Sequence, residues 1–342
     1  MPKSSKKTFF AKVKKQYKDF MARRPHRSFR LTQRRDAVRP LELPGNIAFT
    51  HEVNKTLWVH KKTFILLALA YVILYGILAG VQSQDTYTEL SQSFTEVGAE
   101  LSGSGGEWGV VEQAGALFAS IATSALASEM TEAQQIFSVL LFIMAWLTSV
   151  WLLRNLLAGH KVKLRDGLYN SGAPLFATFI IVLLIAVQLL PVAIAIIGYS
   201  AALSSGLLAG GVAAMLFWFA AILLGVLSLY WITSSLFALI IVTIPGMYPY
   251  QAIKSAGDMV LGRRIKILLR WLWMALIIVV TSAFVVGVMI LLDMGLKALI
   301  PALQWLPLIP LTLLVLGAFV VIWGSTYVYL LYRKVVEYVP ES

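Results

Sequence analysis

The feature that most constrains this chain is a stretch of 87 residues, between Asp166 and Lys254, without any Asp, Glu, Lys, Arg or His. No water-soluble fold of this size covers such a stretch with polar surface, because soluble domains place ionisable side chains on their exterior. Over all 342 residues, 58% are hydrophobic and 13% are charged. The sequence therefore predicts an all-α protein with several membrane spans and excludes a soluble enzyme.

Six segments are apolar over enough residues to cross about 30 Å of hydrocarbon. They are residues 63–81, 136–153, 174–200, 212–244, 271–292 and 306–332. A further uncharged segment, 113–128, is short and rich in Ala, Ser and Gly, so we expect it to lie outside the hydrocarbon. We predict a polytopic bundle of six transmembrane helices over 63–335, followed by a cytoplasmic tail over 336–342.

The polar segments between these spans alternate in charge. Residues 82–135 hold eight acidic residues and no Lys or Arg, whereas 154–166 and 245–270 are basic. Cytoplasmic loops of membrane proteins are rich in Lys and Arg. We therefore predict a bacterial inner-membrane protein with both termini in the cytoplasm and 82–135 as an extracytoplasmic loop. This topology places 28 of the 29 basic residues inside.

The cytoplasmic N-terminal segment, residues 1–62, carries 17 of the Lys and Arg residues and is too long and polar for a signal peptide. On a helical wheel its first part separates an apolar arc from a lysine arc, which predicts an amphipathic helix on anionic lipid. Binding to RNA or a partner protein, and simple retention in the cytoplasm, are the alternatives. The residues of this surface-binding helix are Phe9, Phe10, Lys12, Val13, Lys14, Lys15, Tyr17, Lys18, Phe20 and Met21.

Three of the spans follow a stretch with helical potential, at residues 50–62, 162–172 and 250–266. We expect each stretch to form a short cytoplasmic entry helix that leads into the next span. A helical wheel of 250–266 shows no continuous apolar face, so we expect this helix to pack onto the bundle rather than float on lipid.

Charged residues within the spans, the usual mark of a proton relay, are essentially absent from this sequence. Asp293 lies at the outer end of the fifth span, where we expect a solvated pair with Lys297. Gln188 precedes Pro191, whose ring leaves the carbonyl about four residues earlier without its helical hydrogen bond. We therefore expect Gln188 to repair or flank a helix kink.

Residues for catalysis or metal binding are not grouped in this sequence. The chain has no cysteine, and its four histidines (His26, His51, His60 and His160) are all predicted to be cytoplasmic or juxtamembrane. None pairs with a carboxylate at a spacing typical of a zinc or hydrolase site. We therefore expect no enzymatic activity, no metal and no cofactor.

The basic residues before the fifth span are candidate ligands of a lipid headgroup. Gly262 permits a helix break at the membrane surface, and the guanidinium groups of Arg263 and Arg264 are expected to hold one phosphate. The alternative is that these charges only keep the loop in the cytoplasm. The candidate site comprises Lys254, Arg263, Arg264, Lys266 and Arg270.

The same region, PGMYPYQAIKSAGDMVLGRRIKILLRWLWMALIIVV, resembles the recurrent element of the glycerophosphoryl diester phosphodiesterase membrane-domain superfamily and of related six-span bacterial membrane proteins. The matching positions are Ala252, Ser255, Leu261, Gly262 and Arg263. Residues 159–184 are similar to the equivalent earlier element. The resemblance covers about 135–335 and implies a membrane fold and a membrane role. The soluble catalytic barrel of the phosphodiesterases has no counterpart here, so hydrolysis is not implied.

These observations predict a non-enzymatic inner-membrane protein that engages anionic lipid, or a protein partner, at its basic cytoplasmic face. Nucleic acid is a less favoured partner of this face. The alternative function is a transporter or permease-like component for a small or lipidic solute.

Overall fold

A computed structural model of the chain describes residues 43–78, 131–205, 207, 210–299 and 308–337. Over these residues the chain forms helices and no strand. The predicted amphipathic helix, the segment 113–128 and most of the acidic loop lie outside the described residues.

Nine helices form the described part of the chain, and six of them are long and apolar enough to cross a membrane. The helices are α1 (Asn46–Val59), α2 (Lys61–Leu78), α3 (Glu132–Leu157), α4 (Leu164–Asn170), α5 (Leu175–Ser204), α6 (Val212–Ile241), α7 (Pro249–Val260), α8 (Arg264–Leu299) and α9 (Leu308–Glu337). The six candidate spans are α2, α3, α5, α6, α8 and α9. The protein is therefore an all-α, multi-pass membrane protein, as the apolar segments predict.

The three remaining helices, α1, α4 and α7, each stand directly before a candidate span, which confirms the predicted entry helices. The third ends at Val260, because the chain turns at Gly262, whose φ is +76°. Within α7, Ala252, Ala256 and Val260 are fully buried at a spacing of four residues, and the helix packs against α6. A helical wheel over 250–266 does not show this stripe, because the range also includes the turn at Gly262 and the start of α8.

The last span, α9, packs against five other helices, α1, α2, α3, α6 and α8. Its buried segment includes Ser325 and Thr326, both of which are 0% exposed. The hydroxyls of Ser325 and Thr326 donate to the Ile322 carbonyl at 2.9 and 2.7 Å. These hydrogen bonds within the helix offset the energetic cost of burying the two hydroxyl groups.

A chain of buried hydroxyl groups joins α2, α3 and the turn after α4. The hydroxyl oxygens of Tyr71 and Thr148 lie 3.0 Å apart, and those of Thr148 and Ser171 lie 2.9 Å apart. Gly167 lets α4 approach closely, because a Cβ atom there would lie 3.0 Å from the side chain of Leu152. These contacts hold the entry helix α4 against the second span.

The two polar sites predicted within the spans differ partly from expectation. Lys297 donates to the carboxylate of Asp293 at 2.8 Å, which confirms the pair, but Asp293 is only 1% exposed and is not solvated. The predicted span ends at residue 292, whereas α8 continues to Leu299. Pro191 lies inside a continuous α5, and Gln188 makes no hydrogen bond to the described part of the chain. Gln188 therefore flanks the proline without repairing the helix.

Candidate functional site

The basic segments of the sequence meet at one end of the bundle, which we call the basic end. It comprises residues 154–166, 245–270 and 333–334 together with α1. Arg154 of α3 donates to the carbonyl and to the hydroxyl of Thr243, just after α6. Lys334 of α9 forms an ion pair of 3.0 Å with Glu52 of α1. These contacts join α3 to the segment after α6, and α9 to α1.

Arg270, one of the five candidate headgroup residues, points into the protein. It is 8% exposed, and its guanidinium group donates to the carbonyl of Pro44 and lies 5.8 Å from the ring centre of Phe49. Its own carbonyl accepts a hydrogen bond of 3.3 Å from Tyr327. A buried guanidinium group requires such partners, because desolvation of an unpaired charge is costly. Arg270 thus attaches the segment before α1 to α8 and α9.

Arg263 and Arg264 face different helices and do not form one bidentate pair in the structure. The guanidinium group of Arg263 donates to the Val335 carbonyl of α9 at 3.5 Å. That of Arg264 donates to the Tyr230 carbonyl of α6 at 3.0 Å and lies 3.9 Å from the centre of the same tyrosine ring. The two arginines therefore hold the start of α8 between α6 and α9.

Lys254 and Lys266 are the members of the candidate set with exposed side chains. They lie on α7 and α8, on either side of the turn at Gly262. The predicted helix break at Gly262 is confirmed by its left-handed conformation, which a residue without a Cβ adopts at little cost. We call this region the α7–α8 corner.

A second feature near the basic end is a hollow of about 660 Å³ on the side of the bundle. Its lining comes from α1, the first turns of α2, the middle of α8 and α9. Two of these helices, α2 and α8, both pack against α9. We call it the lateral cleft.

A third feature is a pocket of about 430 Å³ between α3, the α4–α5 turn and the α6–α7 loop. Its polar lining includes Arg154, Asn170, Ser171, Thr243 and Tyr248. Sequence reasoning did not identify this pocket or the cleft, because both depend on contacts between distant segments. The sequence features that could have indicated the pocket are Arg154 at the end of the second span and Thr243 at the end of the fourth.

Within the described ranges, no three His, Asp or Glu residues come together as a group that holds a metal ion. Comparisons with protein-family models, with curated proteins and with solved structures found no match to this chain. The resemblance to the phosphodiesterase membrane domain therefore stays a prediction from the sequence.

Proposed function

We propose that this multi-pass protein is a non-enzymatic component of a bacterial inner membrane whose basic end binds anionic lipid headgroups. The observation that carries the proposal is the α7–α8 corner, where Lys254 and Lys266 are exposed beside a turn that three arginines fix to the bundle. Each exposed lysine near an anionic surface contributes about 1 kcal/mol to binding. The arginines position the corner, and the lysines provide the charge.

The proposed orientation places the basic end in the cytoplasm, with the N and C termini on that side. Its support is the distribution of Lys and Arg in the sequence, which favours the cytoplasmic face. In this orientation Lys254 and Lys266 lie at the level of the cytoplasmic headgroups, where anionic lipids produce a negative surface potential.

A transporter is the second candidate function, and one observation favours it. The pocket beside Arg154 lies at the basic end, and its lining combines a guanidinium group with an amide and hydroxyl groups. Such a lining suits a small anionic solute. In the structure, however, the guanidinium group of Arg154 already donates twice to Thr243, so a solute must compete with these hydrogen bonds.

Reconstitution of the purified full chain distinguishes the two functions. One sample is analysed by native mass spectrometry for retained lipid, and another is assayed in liposomes for uptake of small anionic solutes. Retained anionic lipid without uptake supports the proposed function. Solute uptake above that of protein-free liposomes, with no preference for anionic lipid, contradicts the proposal and favours the transporter.

A further inference from the structure

The lateral cleft has apolar walls and a cation at one end. Phe64 of α2, Ile278 of α8 and Phe319 of α9 contribute to its apolar lining. Lys61, the first residue of α2, lines the end next to α1, where its ammonium group lies 4.9 Å from the centre of the Trp58 ring. The cleft therefore has the polarity of an amphiphile, with a positive charge at one end.

The ammonium group of Lys61 has no carboxylate partner in the part of the chain that the structure describes. No carboxylate of the described residues lies within 4 Å of its ammonium group, and no acidic residue lines the cleft. Asn54 also lines this end, and its side-chain oxygen accepts a hydrogen bond from Trp323. The amide nitrogen of Asn54 is a donor that an anionic group can use.

Two hydroxyl groups lie further along the cleft, on Thr281 and Ser282 of α8. Some hydroxyls in other spans, such as those of Thr312 and Thr326, donate to a carbonyl one turn earlier, whereas those of Thr178 and Ser228 have no hydrogen-bond partner among the described residues. Those of Thr281 and Ser282 make no such bond in the structure. In hydrocarbon an unsatisfied hydroxyl is unfavourable, so a ligand with acceptor oxygens at this depth suits the site.

The open side of the cleft faces away from the bundle centre. Trp58 and Ile65 at its edges are 72% and 55% exposed. Most of the lining belongs to α2, α8 and α9, which are candidate spans, so membrane lipid is the medium that has access to this opening. A volume of about 660 Å³ lies within the roughly 300–1,000 Å³ typical of small-ligand pockets.

We infer that the lateral cleft binds one anionic glycerophospholipid. The phosphate lies beside Lys61 and the Asn54 amide, the ester oxygens accept hydrogen bonds from Thr281 or Ser282, and an acyl chain packs along Phe64 and Phe319. This inference deepens the proposed lipid-binding function and rests on it, but it assigns a single discrete site whose residues lie outside the α7–α8 corner.

The test measures phosphatidylglycerol bound to the delipidated full chain by native mass spectrometry, with phosphatidylcholine and inorganic phosphate as comparison probes. We expect one phosphatidylglycerol that persists at collision energies that remove further lipids, and weaker retention of phosphatidylcholine. Lys61→Gln is expected to reduce this retained species about tenfold. Lys62→Gln is the matched control, because Lys62 is exposed and adjacent but does not line the cleft.

Ser282→Phe fills the cleft without removing a charge, and Ala283→Phe is its control on the next, exposed position outside the cleft. We expect the first to abolish retention of both phospholipids and the second to leave it unchanged. Thermal unfolding of each variant in detergent checks that the bundle is intact.

Three results overturn the inference. The first is equal retention in Lys61→Gln and Lys62→Gln, and the second is retention that survives Ser282→Phe. The third is displacement of the lipid by inorganic phosphate at millimolar concentration, which identifies an anion site rather than a lipid site. If these cleft variants leave retention unchanged while Lys254→Gln with Lys266→Gln reduces it, the cleft assignment fails and the proposed function stands. If the parent protein retains no anionic lipid at all, both fail.

Discussion

The indole N–H of Trp323 on α9 donates a hydrogen bond of 2.8 Å to the side-chain oxygen of Asn54 on α1. A second indole, that of Trp273 on α8, donates to the hydroxyl of Thr50 at 3.1 Å. Tryptophans near span ends are usually interfacial anchors, with the indole N–H directed to water or headgroups. Here both indoles bind the entry helix α1, so α1 is fixed to two spans beside the lateral cleft.

The first prediction concerns this attachment of α1. A double-mutant cycle of Asn54→Ala and Trp323→Phe should give a coupling energy of about 0.6 kcal/mol, the average for hydrogen bonds between membrane helices. Denaturant unfolding in detergent measures it. Asn170→Ala is the control for Asn54, because the Asn170 amide bonds only to the Asp166 carbonyl of its own helix. A coupling energy of zero would show that the indole does not hold α1.

The second prediction concerns the buried hydroxyl chain. Tyr71→Phe removes the bond to Thr148 while it leaves the ring in place, so we expect a loss of about 1 kcal/mol in the free energy of unfolding. Tyr75→Phe, one turn further along α2, should change stability little, because Tyr75 makes no hydrogen bond in the described structure. Equal effects of the two substitutions would contradict the role assigned to the Tyr71 hydroxyl.

The third prediction concerns Arg154. Its guanidinium group makes two hydrogen bonds to Thr243, and a lysine ammonium cannot reproduce this paired geometry. Arg154→Lys should therefore lower the free energy of unfolding by about 1–3 kcal/mol, although the positive charge is kept. Arg165→Lys, at an exposed position of the same basic segment, is the control. Unchanged thermal stability of Arg154→Lys would show that the contact does not join α3 to α6.

The fourth prediction separates the lysines of the α7–α8 corner from its arginines. Lys254→Gln with Lys266→Gln should reduce retained anionic lipid and change the free energy of unfolding little, because contacts of exposed lysines contribute little to stability. Arg263→Gln with Arg264→Gln should lower stability as well, because these guanidinium groups bind carbonyls of α9 and α6.

Neither pair should change the topology, since enough basic residues remain in the segment to keep it inside. Native mass spectrometry and thermal unfolding of the two double variants provide the readouts. The same lipid retention in both double variants as in the parent would eliminate the corner as a headgroup site.

The sequence was sufficient to predict the six spans, because hydrocarbon imposes a length and a composition on each. It also predicted the three entry helices and the turn at Gly262. The predicted fifth span begins at residue 271, whereas α8 begins at Arg264. The difference arises because charged residues such as Lys266 and Arg270 interrupt an apolar segment in a hydropathy analysis. A helix continues through such residues when carbonyls elsewhere in the fold satisfy them, as the Pro44 carbonyl does for Arg270.

The interior position of Arg270 and the two hollows depend on contacts between segments far apart in the chain. Pro44 and Arg270 are separated by 226 positions. No periodicity within one segment indicates such a pair. The sequence therefore located the basic end, but it did not indicate which of the charges are exposed there.

The proposed binding of cytoplasmic anionic lipid depends on the basic end facing the cytoplasm, and labelling of single cysteines tests this most directly because the chain has none. Tyr169, which is 86% exposed on α4, is a suitable position at the basic end, whereas Ser171 is only 2% exposed and unsuitable. Ser104 represents the acidic segment. A membrane-impermeant maleimide should label Ser104→Cys in intact cells and Tyr169→Cys only after permeabilisation. Labelling of Tyr169→Cys in intact cells, or of both positions from the same side, would contradict the six-span orientation.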